Sequence, residues 1–164
     1  MNISKSPGPD NFTPRLVKEC SAELIDPLLY LYNFSLNLGI VPDTLKTAKV
    51  IPVYKKGESF LPSNYRPISL LSVFNKLLEK IVHTRLYSFL LKNNILYSYQ
   101  FGFRRNYCTT LALIEVIDNI YQGLDNNEII IGIYLDLQKA FDTVDHTILL
   151  DKLYHYGIRG NIYK

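Results

Sequence analysis

Cysteine is scarce in this chain: of 164 residues only Cys20 and Cys108 carry a thiol, far apart and without a CxxC neighbour. That spacing excludes a disulfide framework and a paired zinc-ligand motif, and it points to a reducing compartment. Long apolar runs are lacking too. The stretch Ile129 to Leu135 falls far short of the roughly 20 residues a membrane-spanning helix needs. Met1 is followed by Asn2, Ile3, Ser4, Lys5 and Ser6 rather than by an apolar segment, which does not read as a secretory signal, and an intracellular protein, nuclear or cytoplasmic, is expected. Charge of one sign is also in short supply. A net +3 permits a polyanionic partner without requiring one. There is no internal repeat, no low-complexity tract and no Gly-, Pro- or Ser-rich linker, so one compact unit is expected. What is present is ample apolar material, 48% of residues, enough to bury a core.

Turn chemistry opens the chain at Ser6-Pro7-Gly8-Pro9-Asp10. An apolar-periodic segment from about Pro14 to Leu38 reads as two helices broken at Pro27, the second ending at Gly39. Lys46 to Val53 reads as a strand running into an exposed basic turn, Tyr54-Lys55-Lys56-Gly57. Val73 to Lys92 and Thr109 to Leu124 repeat apolar residues at three- and four-residue intervals and are amphipathic helices. Asp125-Asn126-Asn127 turns the chain into Glu128 to Leu137, a β-branched run expected to be a strand buried on both faces. Ala140 to Tyr156 then reads as helical, stopping at Gly157. Helices and strands mixed without strict βαβ alternation give the class α+β.

The strongest chemical signal is Tyr134-Leu135-Asp136-Leu137-Gln138-Lys139-Ala140-Phe141-Asp142, where an apolar strand delivers a carboxylate at its end. Strand periodicity puts Asp136 on the face of Tyr134 and Gly132, with Leu135 and Leu137 on the other. A carboxylate so placed either caps the following helix or binds a cation, and spacing alone favours the cap. Phe141 is by itself an ordinary core residue. Asp142 and Asp145 are expected on the next helix, solvated or capping. A second block runs from Tyr54-Lys55-Lys56-Gly57 through Asn64-Tyr65-Arg66-Pro67-Ile68-Ser69-Leu70-Leu71. By themselves its lysines are a solvated hairpin tip and Arg66 a surface or loop-anchoring residue. Between Lys46 and Lys56 stand four lysines and no acid, Lys49 among them, which suits contact with a nucleic-acid backbone. The third block is Gln100-Phe101-Gly102-Phe103-Arg104-Arg105-Asn106-Tyr107-Cys108-Thr109-Thr110, with Arg104 and Arg105 as phosphate candidates, Phe101 and Phe103 able to pack or stack, and Thr109 or Thr110 able to cap the next helix.

Taken in order, these blocks resemble a reverse transcriptase of the non-LTR, LINE-like (jockey-type) retrotransposons. The Asp136 stretch resembles motif A, the Asn64 to Leu71 run the fingers, the Gln100 to Thr110 block the segment between fingers and palm, and Ser6 to Phe12 the N-terminal extension. The resemblance implies the fingers and an incomplete palm of a right-hand polymerase: about 1–125 as extension and fingers, about 126–164 as the start of the palm. It implies an RNA-directed DNA polymerase that uses an RNA template, a DNA primer, dNTP and Mg²⁺ or Mn²⁺. Asp136 would be a catalytic metal ligand, Lys55 or Lys56 and Arg66 triphosphate contacts, and Phe141 the aromatic wall that screens out a 2′-hydroxyl. Guanidinium and ammonium groups suit the triphosphate because they neutralise charge that shifts during phosphoryl transfer. Cys108 departs from the pattern, standing where relatives usually carry serine, and a thiol is the weaker donor.

Two-metal polymerisation needs carboxylates on both ions, and the family's adjacent aspartate pair does not occur in this sequence. The expectation is therefore a chain cut before the second catalytic carboxylate motif and inactive alone. The different-class alternative is a non-catalytic nucleic-acid-binding or protein-interaction remnant of a retroelement. Another metal-dependent nuclease is the weaker third reading, since no clustered ligands accompany Asp136.

Overall fold

The computed structural model describes residues 2–137 and 139–163; Gln138, inside the Asp136 stretch, lies outside them. Despite the lack of a linker-like sequence, the chain divides into two compact units, one of residues 1–87 with 153–164 and one of residues 88–152.

In the first unit, α1 (Pro14–Glu19) starts with Pro14 at a position where its missing N–H costs nothing, and Thr13 accepts the Leu16 N–H at 3.2 Å as its cap. The break expected at Pro27 falls instead at Cys20, and α2 (Ser21–Leu38) carries Pro27 in its interior. An interior proline removes one backbone hydrogen bond and costs about 3 kcal/mol, so the packing of the flanking turns has to offset it. Gly39 ends α2 as expected: at φ +69° it takes the left-handed conformation, and its N–H reaches the Ser35 carbonyl. A short helix, α3 (Asp43–Lys46), leads into β1 (Ala48–Tyr54), which pairs antiparallel with β2 (Tyr65–Leu71) in a two-stranded sheet. α4 (Val73–Lys92) matches the helix read from periodicity. Val73, at 2% exposure, centres a small core with Val17, Tyr32, Leu78 and Tyr87.

The N-terminal turn docks on the junction between β2 and α4. Asp10 Oδ2 accepts the Ser72 hydroxyl at 2.5 Å, Ser72 Oγ in turn accepts the Phe74 N–H at 3.2 Å, and Phe12 meets Phe74 edge to face at 5.5 Å. A Cβ on Gly8 would stand 2.6 Å from the Leu71 carbonyl carbon and the Ser72 nitrogen, so only glycine fits. Tyr32 closes the same corner from α2, donating its hydroxyl to the Phe74 carbonyl at 2.7 Å, and burial pushes its phenol pKa up to about 12. At the other end of the unit, Asn161 Nδ2 donates to the Asn37 carbonyl at 2.6 Å.

The second unit holds α5 (Thr109–Asp125), as the periodicity required, and most of α6 (His146–His155). After α5, Asn127 takes φ +58° and the Glu128 N–H returns to the Gly123 carbonyl at 2.8 Å, the turn expected there. The segment that follows corrects the sequence reading. Glu128 to Leu137 is irregular rather than a strand, and it is open rather than buried, with Ile129 at 93% and Leu135 at 87% exposure. β-propensity alone does not make a strand; a ladder partner is required. β1 and β2 satisfy each other, and among the described residues no third strand lies beside this run. The helix expected from Ala140 begins later, at His146, because Lys139 adopts φ +53° and residues 139–143 form turns. Its end is as expected: Gly157 at φ +93° sends its N–H to the Tyr154 carbonyl at 2.9 Å. The class is thus mixed helix and strand, with less strand than the sequence suggested.

Candidate polymerase site and nucleic-acid contacts

β1 and β2 position the basic residues of the hairpin. The register sets Val53 against Arg66, Ile51 against Ile68 and Lys49 against Leu70. Directly opposed residues of an antiparallel pair share a face, so Lys49 and Arg66 lie on the same side of the sheet. The opposite side carries Tyr54 and Tyr65, packed edge to face at 5.6 Å. The ladder extends one step past β1, where the Lys55 N–H meets the Asn64 carbonyl at 2.8 Å, so Lys55 and Lys56 project from the hairpin end that also holds Arg66. Two side-chain contacts fix this end. Asn64 Nδ2 donates to the Glu58 carbonyl at 2.9 Å, and the Tyr65 hydroxyl to that of Ser59 at 2.7 Å. Gly57 turns the chain at φ +92°. Lys55, Lys56 and Arg66 are all exposed. Lys46 stands apart on α3, in an exposed ion pair with Asp43 at 2.9 Å.

In the second unit Asp136 is exposed and, among the described residues, makes no hydrogen bond or ion pair. No group of three His, Cys, Asp or Glu side chains able to hold a metal ion comes together among the described residues. Asp136 thus stands as a single carboxylate among the described residues. Asp145 is a cap: its Oδ1 accepts the Thr147 and Ile148 N–H groups at 2.8 and 3.1 Å at the start of α6. Phe141, 78% exposed, meets Phe103 edge to face at 5.8 Å, which brings the third block and the Asp136 stretch into contact.

Arg104 is committed to its own loop. Its Nη1 donates to the Tyr97 carbonyl at 2.9 Å and, at 3.4 Å, to those of Ser98 and Gln100, and the guanidinium lies 4.0 Å over the Tyr107 ring. Arg105, next in the chain, is exposed. Phe101 packs edge to face on Tyr107 at 5.7 Å. The cap of α5 is Cys108 rather than either threonine, and the N–H groups of Leu111 and Thr110 hold its thiol pKa below the usual thiol range. Both cysteines are free, and no helix among the described residues is long and apolar enough to cross a membrane.

Sequence reasoning missed the docking of Ser6 to Phe12 on the β2–α4 junction. The glycine between two prolines signalled a constrained turn, but nothing in the sequence named Ser72 as its partner.

The model of the family described as "Reverse transcriptase (RNA-dependent DNA polymerase)" matches residues 53–164. The chain is 34% identical over 152 residues to a probable RNA-directed DNA polymerase from transposon BS of Drosophila melanogaster, covering 92% of this chain and 17% of that protein. It is 31% identical over 151 residues to the RNA-directed DNA polymerase from mobile element jockey of the same species, covering 92% of this chain and 16% of the relative. The X-element polymerase gives 31% over 144 residues, covering 87% of this chain and 16% of the relative. The chain thus spans about a sixth of the length of the curated relatives it matches. Because the family match runs through more than half of its residues, the chain belongs to the reverse transcriptase family, as the jockey-type resemblance of its motifs implied.

Proposed function

We propose that these residues serve RNA-directed DNA synthesis in a retrotransposon polymerase, as the fingers and the beginning of the palm. The observation that carries the reading is the hairpin: Arg66 and Lys49 share one face, and Lys55 and Lys56 stand at the end nearest Arg66. In the proposal Arg66 and one of those two lysines grip the triphosphate of the incoming dNTP. A bidentate guanidinium and a mobile ammonium are complementary donors for phosphate oxygens. Asp136 is one ligand of a Mg²⁺ or Mn²⁺ site, and Phe141 is the wall against the 2′-hydroxyl. Lys46, Lys49 and Arg105 meet the backbone of the RNA template or DNA primer. Arg104, spent on the carbonyls of residues 97–100, holds the loop that presents Arg105.

The test is primer extension by a completed enzyme of the family that carries these residues. Asp136→Asn should abolish synthesis without unfolding the protein, because an amide of equal size does not hold the cation as a carboxylate does. Arg66→Ala should raise KM for dNTP by roughly tenfold or more, as befits a charge-assisted contact worth about 1.5–3 kcal/mol. Parent-like synthesis by the Asn variant would remove Asp136 from the chemistry, and an unmoved KM with lowered thermal stability would make Arg66 a structural residue.

A further inference from the structure

Outside the hairpin and the Asp136 stretch, α4 also carries an excess of positive charge. This helix has four basic residues, Lys76, Lys80, Arg85 and Lys92, and one acid, Glu79, a net +3 that equals the net charge of the whole chain. Lys76 and Lys80 are one turn apart, about 6 Å on a helix surface, so two ammonium groups can flank one anion. They do not stand alone. A pocket of 240 Å³ between the N-terminal segment and α4 is lined by Lys5, Lys76 and Lys80, with Asn2, Val73 and Leu77. None of the three ammonium groups is in an ion pair among the described residues.

The pocket continues along the helix. Leu77 and Lys80 also line a neighbouring groove of 680 Å³ between α2 and α4, whose wall includes Leu29, Tyr32, Leu36 and Arg85. Lys80 joins the two: the ammonium groups of Lys5, Lys76 and Lys80 border the apolar groove at one margin, whereas Arg85, nine residues and about 180° round the helix from Lys76, stands at another and is not part of the cluster.

We infer that this tract is a phosphate-binding surface for the backbone of a nucleic acid, separate from the triphosphate grip at the hairpin. The shared chemistry is a phosphate oxyanion. Two features favour a backbone diester over a free polyphosphate. The donors are ammonium groups on flexible stems, without the guanidinium fork or converging backbone N–H groups that dense charge calls for. The groove beside them gives a sugar or base face an apolar surface to lie on, which a free phosphate would not use. The inference rests on the polymerase reading only for the nature of the polyanion, since loss of DNA synthesis and loss of this contact are read in different assays.

The experiment measures binding of a short single-stranded oligo(U) RNA to the 164-residue chain by fluorescence anisotropy across a salt series. The Lys76→Gln/Lys80→Gln variant should raise Kd by about tenfold or more and make the slope of log K against log salt shallower by about 1.4, the share of two phosphate contacts on a single strand. Lys76→Arg/Lys80→Arg should bind like the parent. Lys18→Gln/Lys152→Gln, which removes the same charge elsewhere, should leave the slope in place. Because Lys76 is half-buried, thermal melting accompanies each variant, and Lys5→Gln/Lys80→Gln, with both residues exposed, serves if the first variant is unstable. Equal loss from the Lys18/Lys152 variant, or no change from either tract variant, would overturn the inference. So would lysine-dependent binding of inorganic tripolyphosphate alongside oligo(U) binding that ignores Lys76 and Lys80, an outcome that makes the ligand a free phosphate compound.

Discussion

At the scale of single residues, Gly8 and Tyr32 bear most weight for their size. A methyl group on Gly8 would press on main-chain atoms of Leu71 and Ser72, which cannot swing aside as a side chain could. Gly8→Ala should therefore cost about 1–3 kcal/mol in urea unfolding, as overpacking does; an unchanged midpoint would show that the turn is free to shift. Tyr32 carries a pH dependence. Its pKa of about 12 in the folded chain lies above the unfolded value near 10, so its contribution is fully present below pH 10 and drains away as pH rises toward 12. Tyr32→Phe should lose about 1 kcal/mol at neutral pH with the hydrogen bond to Phe74. It should also flatten the fall in stability between pH 10 and 12, followed by denaturant midpoints at each pH. Equal slopes for the two proteins would remove Tyr32 from the alkaline transition. Gly8 could be read from sequence as a constrained turn residue, whereas the raised pKa could not, because desolvation depends on neighbours 42 positions away at Phe74.

At the scale of elements, legibility followed the range of the forces involved. α4 and α5 emerged close to their observed bounds because apolar residues recurring at three- and four-residue intervals, joined to good helix formers, act within a few residues. β2 was recognised by its resemblance to the fingers block and not as a strand; Pro67 and the half-apolar pattern gave no clean alternation, and only pairing with β1 made it one. Glu128 to Leu137 shows the converse, strong strand propensity without a partner. Among the site residues, the placement of Lys49 and Arg66 on one face follows from a register that neither residue specifies, and the contact of Phe103 with Phe141 joins segments 38 positions apart. The late start of α6 is a local effect that can be tested. Asp145→Ala should cost about 1 kcal/mol and fray the first turn of the helix, seen as lost amide protection at Thr147 and Ile148, whereas Asp145→Asn should retain most of it. Full protection in the alanine variant would mean that packing, not the cap, starts the helix.

For the molecule as a whole, apolar surface is left uncovered on both units, including Ile117 and Tyr121 on α5, Ile25 and Leu29 on α2, and Ile131 and Ile133. Surfaces of this kind mark contact with further protein or a liability to associate. The chain by itself should bind a hydrophobic dye such as ANS in native buffer. It should also fail to extend a primer on any template with Mg²⁺ or Mn²⁺, because a single exposed carboxylate at Asp136 does not hold two cations and positioning supplies most of phosphoryl-transfer catalysis. Incorporation above a protein-free control, abolished by Asp136→Asn, would show that residues of this chain complete the site after all.

The clasp between Asp10 and Ser72 has a consequence in time. Its partners are 62 residues apart, so closing it from an unfolded chain carries a loop-entropy cost of about 3.7 kcal/mol plus a constant, against a bond that returns far less. The contact is favourable only once β1, β2 and α4 have already brought residue 72 into place. Docking of Ser6 to Phe12 should therefore follow the formation of β1, β2 and α4 and carry low φ-values. Substitutions there should quicken unfolding while leaving the folding limb of the chevron almost unmoved.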